Sequence, residues 1–138
     1  MKAEYVKVGL LAPPWLPVPP PSYGGTEAVV DRLARGLVAA GHEVLLFAAG
    51  DSTCPVETVA DTLPARPEEI GITTVELAHV IRGHDMLAGC DVVHDHTLAG
   101  PAIGQRPGAP VLVTTSHGPF TPEVSEVYRS FARRVPII

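Results

Sequence analysis

Two neighbouring glycines and three histidines are the residues of this 138-residue chain best suited to chemistry. Gly24 and Gly25 end a proline-packed loop, PPPSYGGTE, and open a helix directly after the first strand. Backbone amides at a helix N-terminus point outward at the positive end of the helix dipole, and glycine lets another molecule approach the backbone closely. Further along, His94-Asp95-His96 and then His117 follow apolar runs. Residues two apart in an extended segment face the same way, so His94 and His96 form a pair of imidazoles that Asp95 is placed to orient. An imidazole such as His117 at a strand terminus can donate a hydrogen bond to a hydroxyl or phosphate. Each feature has a plainer reading: a flexible turn for the glycines, and polar strand ends bonded to loop backbone for the histidines. The three imidazoles also admit a zinc site, but no spacing marks a closed ligand set, and no metal is expected.

The same residues exclude several chemistries. The glycine pair matches neither the G-x-G-x-x-G dinucleotide fingerprint nor a P-loop, so NAD binding and ATP hydrolysis lose ground. Ser116 lies outside any G-x-S-x-G turn, and its sequence neighbour His117 does not supply triad geometry. Trp15 and Tyr23, in the proline loop, read equally as a wall for a sugar or as a cover for the core. His42, in the GHEV turn, sits at the opposite edge and reads as structural.

The elements that position these groups alternate between strand and helix. Tyr5 to Leu11 is an apolar run fit for a strand buried on both faces. Pro13 to Pro21 holds six prolines, which cannot donate backbone hydrogen bonds and so form a stiff extended loop. Thr26 is the expected N-cap of the next helix, with Glu27 in its first turn. Val29, Val30, Leu33, Ala34, Leu37 and Val38 give an apolar stripe, Asp31, Arg32 and Arg35 an outer face, and Gly41 a left-handed end. Strands follow at Glu43 to Ala49, Val56 to Ala60, Asp91 to His94 and Val111 to Thr115. Helices are expected at Thr74 to Leu87, weakly at Leu98 to Gln105, and at Pro122 to Arg134, with Val135 to Ile138 starting one more strand. This alternation predicts an α/β, Rossmann-like doubly wound, mostly parallel sheet with helices on both faces. Ligands in such sheets sit beyond the carboxyl ends of the strands, where the glycines and histidines fall.

Composition bounds the partners. The net charge of −5 and the lack of a basic cluster argue against nucleic acid. Cys54 and Cys90 match no paired spacing and read as free cytosolic thiols. No signal segment or membrane-length apolar run stands in the sequence, so a cytoplasmic protein is expected, with peripheral membrane contact left open. The apolar VPII ending reads as a strand cut short and predicts a domain fragment, whose open sheet edge could pair with a second copy as a homodimer.

The segment PPPSYGGTEAVVDRLARGLVAAGHEVLLFAAGDS resembles the first βαβ unit of family four glycosyltransferases of the GT-B fold. DVVHDHT resembles the fourth-strand pattern of that family, and VLVTTSHGP the fifth. The resemblance implies two Rossmann-like domains with the active site in the cleft between them, and this chain would be the amino-terminal, acceptor-side one. It implies a retaining, metal-independent transfer without cofactor, from a nucleotide-sugar donor to a sugar or small-molecule acceptor. Gly24 and Gly25 would approach the donor phosphates or the acceptor, and Thr26, His94 and His96 join them as candidate binding residues. His117 would lie near the transferred sugar, as the catalytic candidate. The donor domain is missing, so residues 1–138 alone are expected to be inactive. The competing expectations are a non-catalytic module that binds a sugar or phosphorylated small molecule, and a domain that serves assembly only.

Overall fold

A computed structural model describes residues 4–138. Five parallel strands form one sheet in the order β3-β2-β1-β4-β5. They are β1 (Lys7–Leu11), β2 (Glu43–Phe47), β3 (Glu57–Thr58), β4 (Val92–Asp95) and β5 (Val111–Thr114). The helices are α1 (Gly25–Ala39), α2 (Thr73–Met86), α3 (Gly100–Ile103) and α4 (Pro122–Arg129). Strands β1 and β2 alternate between two cores. Val8, Leu10, Val44 and Leu46 face Val30 and Ala34 of α1. Leu11, Phe47, Val93 and Leu112 face Val80 of α2 and Tyr128 of α4. Helices therefore cover both faces, as buried parallel strands require. Cys54 lies in the first core and Cys90 in the second, both as free thiols.

The chain winds outward from β1 to β3, then returns to the other side of β1 for β4 and β5. The strand order thus reverses between β1 and β4, and a crevice opens at the carboxyl ends of a sheet at such a switch point.

Several boundaries differ from expectation for local reasons. α1 begins at Gly25 with Gly24 as its N-cap, because the Ala28 amide already donates to the Gly24 carbonyl; Thr26 lies inside the first turn. Val29 and Val38 are exposed, while Asp31 is half-buried beside Arg35, so the apolar stripe is narrower than its spacing suggests. Gly41, at φ 94°, follows the last helical turn in the left-handed region. β3 shrinks to two exposed residues at the sheet edge, where neither face is buried. α4 stops at Arg129, and a series of turns carries the chain to Val135. Ile137 then makes a parallel bridge to Thr114, which places the VPII segment beside β5.

The proline loop is fastened rather than free. Val18 is fully buried; its amide donates to Ser52 Oγ, and its carbonyl accepts from the amides of Thr53 and Cys54. These bonds hold the loop after β1 against the loop after β2, so the glycine pair leaves from a fixed base.

Candidate functional site

Gly24 and Gly25 have different reasons to be glycine. A Cβ at Gly24 would stand 2.7 Å from Pro20 Cβ and 2.9 Å from Leu16 Cδ1, so this position is fixed by packing against the proline loop. A Cβ at Gly25 meets nothing within 4 Å. The surface of Gly25 is open to a ligand, and that of Gly24 is closed by its own loop. Gly24→Ala is accordingly expected to destabilise the chain by about 1–3 kcal/mol through overpacking, measured by urea unfolding. Gly25→Ala should leave the unfolding midpoint nearly unchanged.

The three histidines come together. His94 and His96 point to one side of β4, with ring centroids 4.1 Å apart. His96 and His117 follow at 5.1 Å, and His96 Nδ1 lies 2.8 Å from His117 Nε2, so one ring donates and the other accepts. His94 Nε2 lies 2.7 Å from the Thr115 hydroxyl, which ties the ends of β4 and β5 together. Burial is the first cause that holds all three imidazoles below the usual histidine range; for His96, aided by its two histidine neighbours, the value falls to about 3. The site is therefore a row of neutral rings at neutral pH. The second nitrogen of the middle ring, His96 Nε2, is buried with no hydrogen-bond partner.

Asp95 does not orient this row, contrary to the expectation from sequence. Its side chain passes to the opposite face, where Oδ2 lies 2.8 Å from His84 Nε2 and Oδ1 accepts from the Thr97 amide and hydroxyl. The reason is alternation along β4: residues on either side of His94 and His96 point away from them. Among the described residues no group of three or more His, Cys, Asp or Glu side chains converges to hold a metal.

One face of α2 was not legible from apolar spacing. It turns three polar groups inward, each with a partner at the site edge. His79 Nε2 lies 2.7 Å from the Ala12 carbonyl at the end of β1, Glu76 accepts from the Ala99 amide, and His84 meets Asp95. With Val80, Gly83 and Leu87 these positions make a single helical stripe. The signal was present, but it was carried by histidine and glutamate rather than by Leu or Val.

The glycine loop and His117, the outermost ring of the histidine row, share a cleft of about 570 Å³. Gly24, Gly25, Thr26 and His117 line it, with Trp15 and Tyr23 also on its surface. Trp15 is buried and Tyr23 is 91% exposed, so the first covers the core while the second stands free at the cleft. His117 is shared with a second hollow of about 210 Å³, which His96, Thr121 and Tyr128 also line. His94 lines neither; it acts through its ring contact with His96 and its bond to Thr115.

Comparison with known proteins bears on the family and the fold. The sequence profile of Glycosyltransferase Family 4 matches residues 23–137. A crystal structure of AviGT4, a glycosyltransferase involved in avilamycin A biosynthesis, is similar with a TM-score of 0.55 and 32% sequence identity. The match covers 85% of this chain and 34% of AviGT4, so the chain spans about a third of that enzyme's length. No curated protein sequence matches.

Proposed function

The chain belongs to Glycosyltransferase Family 4, and from that premise we propose that it is the acceptor-side domain of a retaining transferase that moves a sugar from a nucleotide-sugar donor to an acceptor hydroxyl. The observation that carries the reading is the shared cleft: the open glycine of α1 and the imidazole of His117 face one cavity at the switch point of the sheet. A departing nucleotide diphosphate gains negative charge, which amide donors and cationic groups stabilise. Most of those groups belong to a donor domain across the cleft, as the one-third coverage of AviGT4 suggests. On this side His117, neutral and hydrogen-bonded to His96, holds a sugar hydroxyl and positions it for attack. It is not a general base, since retention of configuration places other demands there. The two buried free thiols favour a reducing, cytoplasmic setting.

Two measurements test the proposal. Residues 1–138 alone, incubated with nucleoside-diphosphate sugars and sugar acceptors, are expected to give little or no transfer by mass spectrometry; measurable turnover would refute the two-domain assignment. Gly25→Trp should direct an indole into the cleft from a position where a Cβ meets nothing within 4 Å, weakening ligand binding by roughly 100-fold or about 3 kcal/mol in calorimetric titration while the fold persists. Unchanged affinity in that variant would remove the glycine loop from the site.

A further inference from the structure

His96 and His117 share one hydrogen. His96 Nδ1 and His117 Nε2 stand 2.8 Å apart, so one nitrogen carries the hydrogen and the other accepts it. Burial holds both rings toward the neutral form. A neutral imidazole has a single hydrogen for its two nitrogens, so the choice made at this bond fixes both rings together. If His96 donates, His96 Nε2 is bare and His117 carries its hydrogen on Nδ1. If His117 donates, His96 Nε2 becomes an N–H and His117 Nδ1 is bare.

The surroundings decide between the two. His96 is 3% exposed, and its Nε2 meets no partner among the described residues. The second arrangement would strand an N–H donor in that place. Among buried backbone groups an orphaned N–H is rarer than an under-satisfied acceptor, and the same desolvation acts on a ring. His117 is exposed and lines the cleft, and Nδ1 is the nitrogen that its bond to His96 leaves over. A hydrogen there reaches water or a ligand, so the first arrangement strands no donor.

We propose that His96 is a positioning residue: by donating from Nδ1 it fixes His117 as the Nδ1–H tautomer, so that His117 offers the cleft a hydrogen-bond donor and no base. The N–H grips an oxygen lone pair, and the one free nitrogen of the ring has no room for a hydroxyl proton. The use of this donor in sugar transfer rests on the transferase reading; its presence on the ring does not.

The test reads the ring nitrogens of the isotopically labelled chain, without ligand, by long-range proton–nitrogen correlation at about pH 7.5. His96 and His117 are both expected as Nδ1–H tautomers, in about tenfold excess over the Nε2–H forms, the factor that one stranded donor commands. His96→Leu removes the donor, and His117 should then relax to the tautomer mixture of a free histidine while the amide spectrum of the fold persists. A merely structural His96 would leave the His117 tautomer in place in that variant. Nε2–H rings in the unaltered chain, a mixture there, a doubly protonated His117, or an unmoved His117 tautomer in His96→Leu would each overturn the inference. The unaltered chain decides alone if the variant fails to fold. Because the rings are read without substrate, each of these results leaves the transferase reading standing, and turnover measurements test that separately.

Discussion

Asp95→Ala is expected to destabilise the chain by about 3–5 kcal/mol, which is a large part of the 5–15 kcal/mol typical of a domain. Asp95 is fully buried, and its two oxygens serve three groups: His84 Nε2, the Thr97 amide and the Thr97 hydroxyl. Alanine would leave the His84 ring, itself 7% exposed, without a partner in the interior, and would strand the Thr97 amide. Thr97 Oγ1 in turn accepts from the Gly100 amide, so the turn into α3 loosens at the same time. The site is affected because His96 lies between Asp95 and Thr97 and its own amide donates to Leu11. Asp95→Asn keeps the shape and one acceptor oxygen and should lose less than alanine does. Urea unfolding followed by circular dichroism measures both. A loss below about 1 kcal/mol in Asp95→Ala would mean that the network does not hold the end of β4.

The backbone of this arrangement was legible in the sequence where one physical signal dominated. Apolar runs marked β1, β2, β4 and β5, and the proline loop followed by glycine marked the start of α1 to within a residue or two. The gathering of Gly25 and His117 on one cleft followed from topology, since each lies beyond the carboxyl end of a parallel strand, Gly25 across the proline loop after β1 and His117 just past β5. What stayed hidden depended on contacts between distant segments. β3 was expected at Val56 to Ala60 and lies there, but only Glu57–Thr58 pair with β2, and no side-chain pattern announces that shortening. The difference between Gly24 and Gly25 lies in where Pro20 and Leu16 fold back. The partner of Asp95 is a histidine eleven positions earlier, on a helix whose inner face is polar. Glu27 looked like an ordinary dipole-favoured residue of a first turn, and its burial is not announced by that position.

Acid is the second large effect. In the folded chain His96 titrates at about 3, against 6.5 for a free histidine. Between those two values the unfolded chain binds a proton that the folded one does not, so stability falls as pH falls through that window and is fully present above about 6.5. The slope is about 1.4 kcal/mol per pH unit for this buried ring, or roughly 2–3 kcal/mol by about pH 4.5. His79, His94 and His117 are displaced in the same direction and add to the loss, the exposed His117 least because solvent screens it. Glu27 and Glu76 are displaced upward and act in the opposite sense, since the folded chain takes up their protons first and gains stability as pH falls through their raised values. The displacement of His96 is the large one, and it sets a net loss in acid. Geometry gives the same sign: with His96 Nδ1 2.8 Å from His117 Nε2, charging both rings sets two N–H groups against each other and breaks the bond that fixes the cleft wall. The melting temperature is therefore expected to be flat above about pH 7 and to fall steeply below 6, with His96→Gln showing the shallower slope. A melting temperature independent of pH, or a slope untouched by His96→Gln, would show that the histidine row is not neutral in the folded chain, and His117 would then have to be reconsidered as a cation facing the cleft.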